Sequence, residues 1–138
     1  MIRYQSRTFF TYESDYDASL AQEQTVELTF NTHGDSDFFW QKFAMFALVE
    51  GTATSRTGDQ LPAIYMSVTN QTTGRVCFNA PVPVPNISWY GQFLPRMTVW
   101  PRKSSILVRL TNFDIGPSGT TYSQLQLSFL GTKAFPRT

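Results

Sequence analysis

The sharpest alternation of apolar and polar residues lies in positions 104–131, which read SSILVRLTN, FDIGPSGTT and YSQLQLSFLG. Ile106, Val108 and Leu110 alternate with Leu107, Arg109 and Thr111, and Leu125, Leu127 and Phe129 alternate with Gln124, Gln126 and Ser128. A period of two marks a strand with one buried and one wet face. Residues 113–121 between them carry Gly116, Pro117, Ser118 and Gly119, which is turn chemistry and too short for a helical crossover. The two strands are expected to run antiparallel, either as a hairpin or in facing sheets.

The same pattern recurs upstream. Val26, Leu28 and Phe30 alternate with Glu27, Thr29 and Asn31, and Ile64, Met66 and Val68 alternate with Tyr65, Ser67 and Thr69. Residues 38–49 (FFWQKFAMFALV) are harder, because Ser36 could cap a helix with Phe39, Phe43 and Phe46 on one face. Their aromatic enrichment argues instead for a long central strand that is apolar on both faces, with something packed on its outer side. Gln71-Thr72-Thr73-Gly74 predicts a tight turn into a strand at 75–78. Pro81, Pro83 and Pro85 forbid a central strand, so 80–86 is expected as an extended crossover, and Pro95 and Pro101 bracket a short strand at 97–100. Residues 1–23 are polar around an aromatic knot of Tyr4, Phe9, Phe10 and Tyr12, and read as an N-terminal arm or edge strand preceding a sandwich domain over 24–138.

Composition narrows the function classes. At 138 residues the chain is one domain by length, able to bury roughly two-thirds of its unfolded surface. Only 15% of residues are charged, against about a quarter in typical domains, and 15% are aromatic, which fits an all-β protein with a neutral polar surface. A formal charge of +1 without a Lys/Arg cluster argues against nucleic acid as a partner. The start MIRYQSRTFFTYESD lacks the apolar stretch of a secretory signal, and the longest charge-free apolar run, 43–49, is too short to span a bilayer, so no membrane partner is expected. Without that signal, the sequons at Asn70 and Asn86 are read as chance matches.

Catalytic and metal constellations are weak. Asp15, Asp17, Asp35 and Asp37 could supply oxygen ligands, but Asp-Ser-Asp beside Gly34 is ordinary turn chemistry. His33 is the sole histidine, no serine sits in a nucleophile elbow, and no pair of carboxylates stands out for glycoside cleavage. No catalytic residue, cofactor or metal site is expected. The single cysteine, Cys77, reads as a buried thiol. Trp40, Trp89, Tyr90 and Trp100 could stack on sugars, yet tryptophans in such a chain more often anchor cores and interfaces. Phe9, Phe10, Tyr12, Trp89 and Tyr90 are therefore the expected partner-interface residues.

Taken in order, Asp-Ser-Asp-Phe-Phe-Trp (35–40), Thr-Gly-Arg-Val (73–76), the proline-rich link to Tyr90-Gly91, Pro101 ahead of Ser105-Ile106-Leu107-Val108, then Thr111-Asn112 and LSFLGTK (127–133) carry a resemblance. The chain resembles small jelly-roll virion proteins of tailed bacteriophages, the class that includes capsid cement or decoration proteins, over residues 24 to 135. The resemblance implies an antiparallel two-sheet β-sandwich of jelly-roll type with about eight strands and no catalysis. It also implies assembly in the host cytoplasm into the virion, on the outer capsid surface, with the major capsid protein and further copies of itself (a dimer or trimer) as partners. A carbohydrate-binding lectin-like module, or a tail or collar component, is the alternative.

Overall fold

A computed structural model describes residues 4–49, 58–59, 63–88, 93–113 and 121–136. They form strands β1 (Tyr4–Tyr16), β2 (Thr25–Asn31), β3 (Asp37–Val49), β4 (Gly58–Asp59), β5 (Ile64–Asn70), β6 (Arg75–Val76), β7 (Val82–Pro83), β8 (Phe93–Trp100), β9 (Ser105–Asn112) and β10 (Tyr122–Pro136), with one helix, α1 (Pro85–Ser88). One sheet runs β1-β10-β3, with β8 and β4 end to end along the far edge of β3; the other runs β2-β9-β5, with β6 and β7 along β5. Every pairing is antiparallel.

The pairing is nested. β1 pairs with β10, β2 with β9, β3 with β8, and β5 with β6 and β7, so a long antiparallel ribbon is rolled with alternate pairs in opposite sheets. That is a jelly roll. Ten short and long strands fill the eight positions expected of it: β6 and β7 together occupy one position and β4 is an addition. The two strands of sharpest alternation, β9 and β10, lie in facing sheets.

The core is built from the inward residues of both sheets. Ile106, Val108 and Leu110 of β9 and Ile64, Met66 and Val68 of β5 face Leu125, Leu127 and Phe129 of β10, together with Phe38, Trp40, Phe43, Met45 and Ala47 of β3. Trp40 stacks on Trp100 at 5.1 Å between ring centres, and Phe129 meets Trp40 at 5.3 Å and Phe43 at 5.0 Å. The inward set of β3 changes parity along the strand, because one residue is unpaired between Trp40 and Lys42. This is a β-bulge. The Trp40 indole N–H closes it by donating to the Lys42 carbonyl at 2.7 Å.

Three local expectations are corrected. The strand expected over 75–78 ends at Val76. Residues 80–86 are not one extended link: Val82–Pro83 is a two-residue edge strand, and Pro85 opens α1, where its missing N–H costs nothing. The strand expected over 97–100 begins at Phe93 and includes Pro95, which is tolerated beside the irregular pairing of β8 with β3. Residues 4–16, expected as arm or edge strand, are an edge strand paired with β10 along nearly its whole length.

Candidate functional site

The two outer faces of the sandwich differ in chemistry. On the β2-β9-β5 sheet the outward positions are largely polar, apart from Leu107, Tyr65 and the exposed Val76. Thr25 and Thr111 share a hydrogen bond at 2.8 Å, Glu27 pairs with Arg109 at 2.7 Å, and Ser67 and Thr69 continue the row, with the Tyr65 ring against Phe113 at its end.

On the β1-β10-β3-β8 sheet an apolar band crosses the outward face. The register places Phe9, Thr132, Phe39 and Val99 side by side on four successive strands. Further along lie Leu130 and Phe46, with Ala44 exposed between them. Phe9 is 69% exposed, Val99 45% and Phe46 43%. Phe39 is covered from within the chain: the Tyr4 ring meets it edge-on at 5.5 Å and the Arg7 guanidinium lies over it at 5.4 Å. Tyr4 is held by donating its hydroxyl to Asp37 at 3.1 Å, and burial followed by that carboxylate pushes the phenol above its ordinary value. Asp37, read in sequence as part of a turn, is buried at the start of β3 and also accepts from the Arg102 backbone N–H at 3.0 Å.

The knot at the start of the chain is thereby split. Successive residues of a strand point to opposite faces. Phe9 points outward. Phe10 and Tyr12 point inward and meet each other, Phe10 half-buried and Tyr12 buried at 7% exposure, with the Tyr12 ring packed on Phe38 and Phe30. Of the five residues expected at an interface, Phe9 is on the exposed face, Phe10 and Tyr12 belong to the interior, and Trp89 and Tyr90 lie outside the described residues. The sequence reading missed Phe46 and Val99, although the apolar outer side of residues 38–49 was the signal for the first.

Tyr12 reaches one further group, His33, whose backbone N–H donates to the Tyr12 hydroxyl at 2.8 Å. The exposed His33 ring stands against Phe10 and Tyr12, with Nδ1 2.7 Å from the buried Lys133 ammonium. Lys133 also lies over the Phe10 ring at 4.0 Å and 3.7 Å from Asp35. Asp35 is held below its ordinary value by the Ser36 hydroxyl first, with Lys133 adding to the effect. Among the described residues no three of His, Cys, Asp and Glu gather into a group able to hold a metal ion.

A groove of about 700 Å³ separates the edges of the two sheets, between Asn70, Arg75, Val76 and Cys77 on one side and Val99 and Trp100 on the other. Cys77, expected as buried, is half-buried on its wall. Burial pushes its thiol up. The Trp100 indole N–H acts in the opposite direction, although among the described residues it has no partner in hydrogen-bond geometry. No described helix is long and apolar enough to cross a membrane.

No protein-family model matches the chain, and no curated protein matches it. Among solved structures it is similar to dimeric latent PorU from Porphyromonas gingivalis, with 13% identity over 89% of this chain and 13% of that one, at a TM-score of 0.37. It is also similar to the infectious bursal disease virus VP2 subviral particle, with 10% identity over 97% of this chain and 38% of that one, at a TM-score of 0.38. The chain thus spans well under half of either protein.

Proposed function

We propose that the chain is a structural virion protein without catalytic activity, a cement or decoration protein that seats the outer face of its β1-β10-β3-β8 sheet on the major capsid protein of a tailed-phage head. The observation that carries this reading is the outward row in which Phe9 and Val99 stand exposed on either side of the covered Phe39, with Phe46 farther along the same face, while the opposite face is largely polar apart from Leu107, Tyr65 and Val76. Interface cores are enriched in aromatics and in Arg, and this row has Phe9 exposed beside the Arg7 guanidinium that lies over Phe39. Phe9, with 69% of its surface still in water, stands to contribute roughly 1–2 kcal/mol on burial. Contacts of this size hold a protein to a shell when many copies attach around symmetry axes and each tethered copy meets its next site at high effective concentration.

The lectin-like alternative needs aromatic platforms in water. Trp40 and Trp100 are stacked on each other in the core, which leaves that role to Trp89 and Tyr90. A glycan array is expected to stay blank. The deciding experiment is co-sedimentation with heads from the same virion stripped of this chain. Wild-type protein should bind and make the heads more resistant to osmotic rupture. The variant Phe9→Ser with Val99→Ser should bind at least tenfold more weakly while keeping its melting temperature. Binding to isolated tails and not to heads points to a tail or collar component, and unchanged binding by the double variant removes this face from the reading.

A further inference from the structure

A second surface follows from the edges of the sheets. A strand edge presents unpaired N–H and C=O groups to any chain that can add a strand, and natural proteins blunt such edges with short strands, prolines, bulges or charge. Three of the four edges here are blunted. β8 carries Pro95 and pairs irregularly with β3, β6 and β7 are two residues each with Pro83 in β7, and β2 is only seven residues long. β1 differs: Tyr4–Tyr16 is 13 residues long, contains no proline, keeps a regular register from Ser6 to Tyr16 after one irregularity beside Tyr4, and among the described residues is bonded on one side only, to β10.

The charges on β1 are arranged so that the strand complements itself. Arg7, Phe9, Thr11, Glu13 and Asp15 alternate on the outward face, with the cation toward the N-terminal end and both anions toward the C-terminal end. Among the described residues Arg7, Glu13 and Asp15 form no ion pair: Arg7 lies over the Tyr4 and Phe39 rings, and Glu13 accepts from Ser128 at 2.7 Å. We propose that the free edge of β1 pairs with the same edge of a second copy of this chain, antiparallel about a two-fold axis at Phe10. This goes beyond attachment to a capsid and does not depend on it.

The register follows from the spacing. An axis at Phe10 sets Arg7 of each copy opposite Glu13 of the other and Phe9 opposite Thr11. Odd positions meet odd positions, so the outward faces coincide and opposite charges lie cross-strand, where they attract. A parallel pairing in the same register would set Arg7 on Arg7 and Glu13 on Glu13, which repel. The two Phe9 rings come diagonally across the axis, within reach of each other. An isologous contact of this kind closes at two copies and leaves no further β1 edge exposed, which is the form most soluble oligomers take. The sheet then runs without interruption from β8 of one copy to β8 of the other.

The test uses the whole chain alone in solution, so its failure and the failure of capsid docking are distinguishable. Light scattering on a sizing column should give wild type a dimer mass at micromolar concentration. Arg7→Glu and Glu13→Arg should each halve that mass, and the two together should restore it, because the swap re-creates both pairs. A second measurement needs no charge change: in a Cys77→Ser background, Thr11→Cys should be captured as a dimer by a short thiol-to-thiol cross-linker, and Asp17→Cys, beyond the end of β1, should not. A monomeric wild type, single variants that keep the dimer mass, a double variant that stays monomeric, or equal cross-linking at both positions would overturn the proposal.

Discussion

Replacing Gly131 with Ala should cost more stability than any other single added methyl group on the described strands. Gly131 sits on β10 between Phe10 of β1 and Trp40 of β3, opposite the bulge of β3. A Cβ there would fall onto the carbonyl oxygen of Phe39 and within 2.9 Å of the Phe38 ring. Phe39 belongs to a strand bonded on both sides, so the oxygen yields only if the strand moves. Overpacking of a tight site costs about 1–3 kcal/mol and occasionally more, and a backbone obstacle places Gly131→Ala at about 3 kcal/mol or above. For a domain of this size that lowers the melting temperature by roughly 10 °C. Gly34→Ala is the internal control: its added Cβ meets the far end of the Lys103 side chain at 3.0 Å, which swings away, so the change should stay within about 0.5 kcal/mol. Urea unfolding of both variants, followed by tryptophan fluorescence, measures the difference. A Gly131→Ala loss below about 1 kcal/mol, or one equal to that of Gly34→Ala, would refute the reasoning.

Three further outcomes are expected. Asn112 is fully buried and donates from Nδ2 to the Leu20 carbonyl at 3.1 Å, so Asn112→Ala should lose roughly 1–2 kcal/mol in the same assay; a neutral result would mean the site repacks or admits water. Lys133 is a buried cation answered by His33 Nδ1 and the Phe10 ring, so Lys133→Met should change stability by no more than about 1 kcal/mol, His33→Leu should lose roughly 1–3 kcal/mol, and the two together should recover most of that loss; three equal losses would remove the coupling. Burial raises Tyr12 above its ordinary value of 10.0 and Cys77 above 9.0, so the folded chain holds both protons more tightly than the unfolded one. Their stabilisation is complete below pH 9 and lost as pH rises through 10 toward the folded values, so the urea midpoint should fall over that range, less steeply in Tyr12→Phe; a midpoint that rises there contradicts the assignment.

How far the fold was legible depended on how local its causes are. Val26, Leu28, Phe30, Ile64, Met66, Val68, Ile106, Val108 and Leu110 alternate cleanly because β2, β5 and β9 each keep one parity from end to end, and their inward faces could be read from period two alone. Residues 38–49 resisted because the bulge between Trp40 and Lys42 switches the inward set from Phe38 and Trp40 to Phe43, Met45 and Ala47, which erases the alternation and imitates a helical spacing. The interface could not be read locally for a related reason. Phe9 and Phe10 are chemically alike neighbours, and only pairing with β10 decides between them: Phe10 falls opposite Gly131, where a missing side chain leaves room for a ring, and Phe9 falls opposite Thr132 on the wet face. Lys133 is the opposite case, a position the pattern alone could have placed. The inward set Leu125, Leu127, Phe129 continues through Gly131 to residue 133, so alternation puts Lys133 inside although a charge ordinarily favours water. A buried ammonium needs an acceptor and a π face, and the turn after β2 supplies His33 while β1 supplies Phe10, two partners 100 and more residues away in sequence that only the rolled pairing of first strand with last brings together.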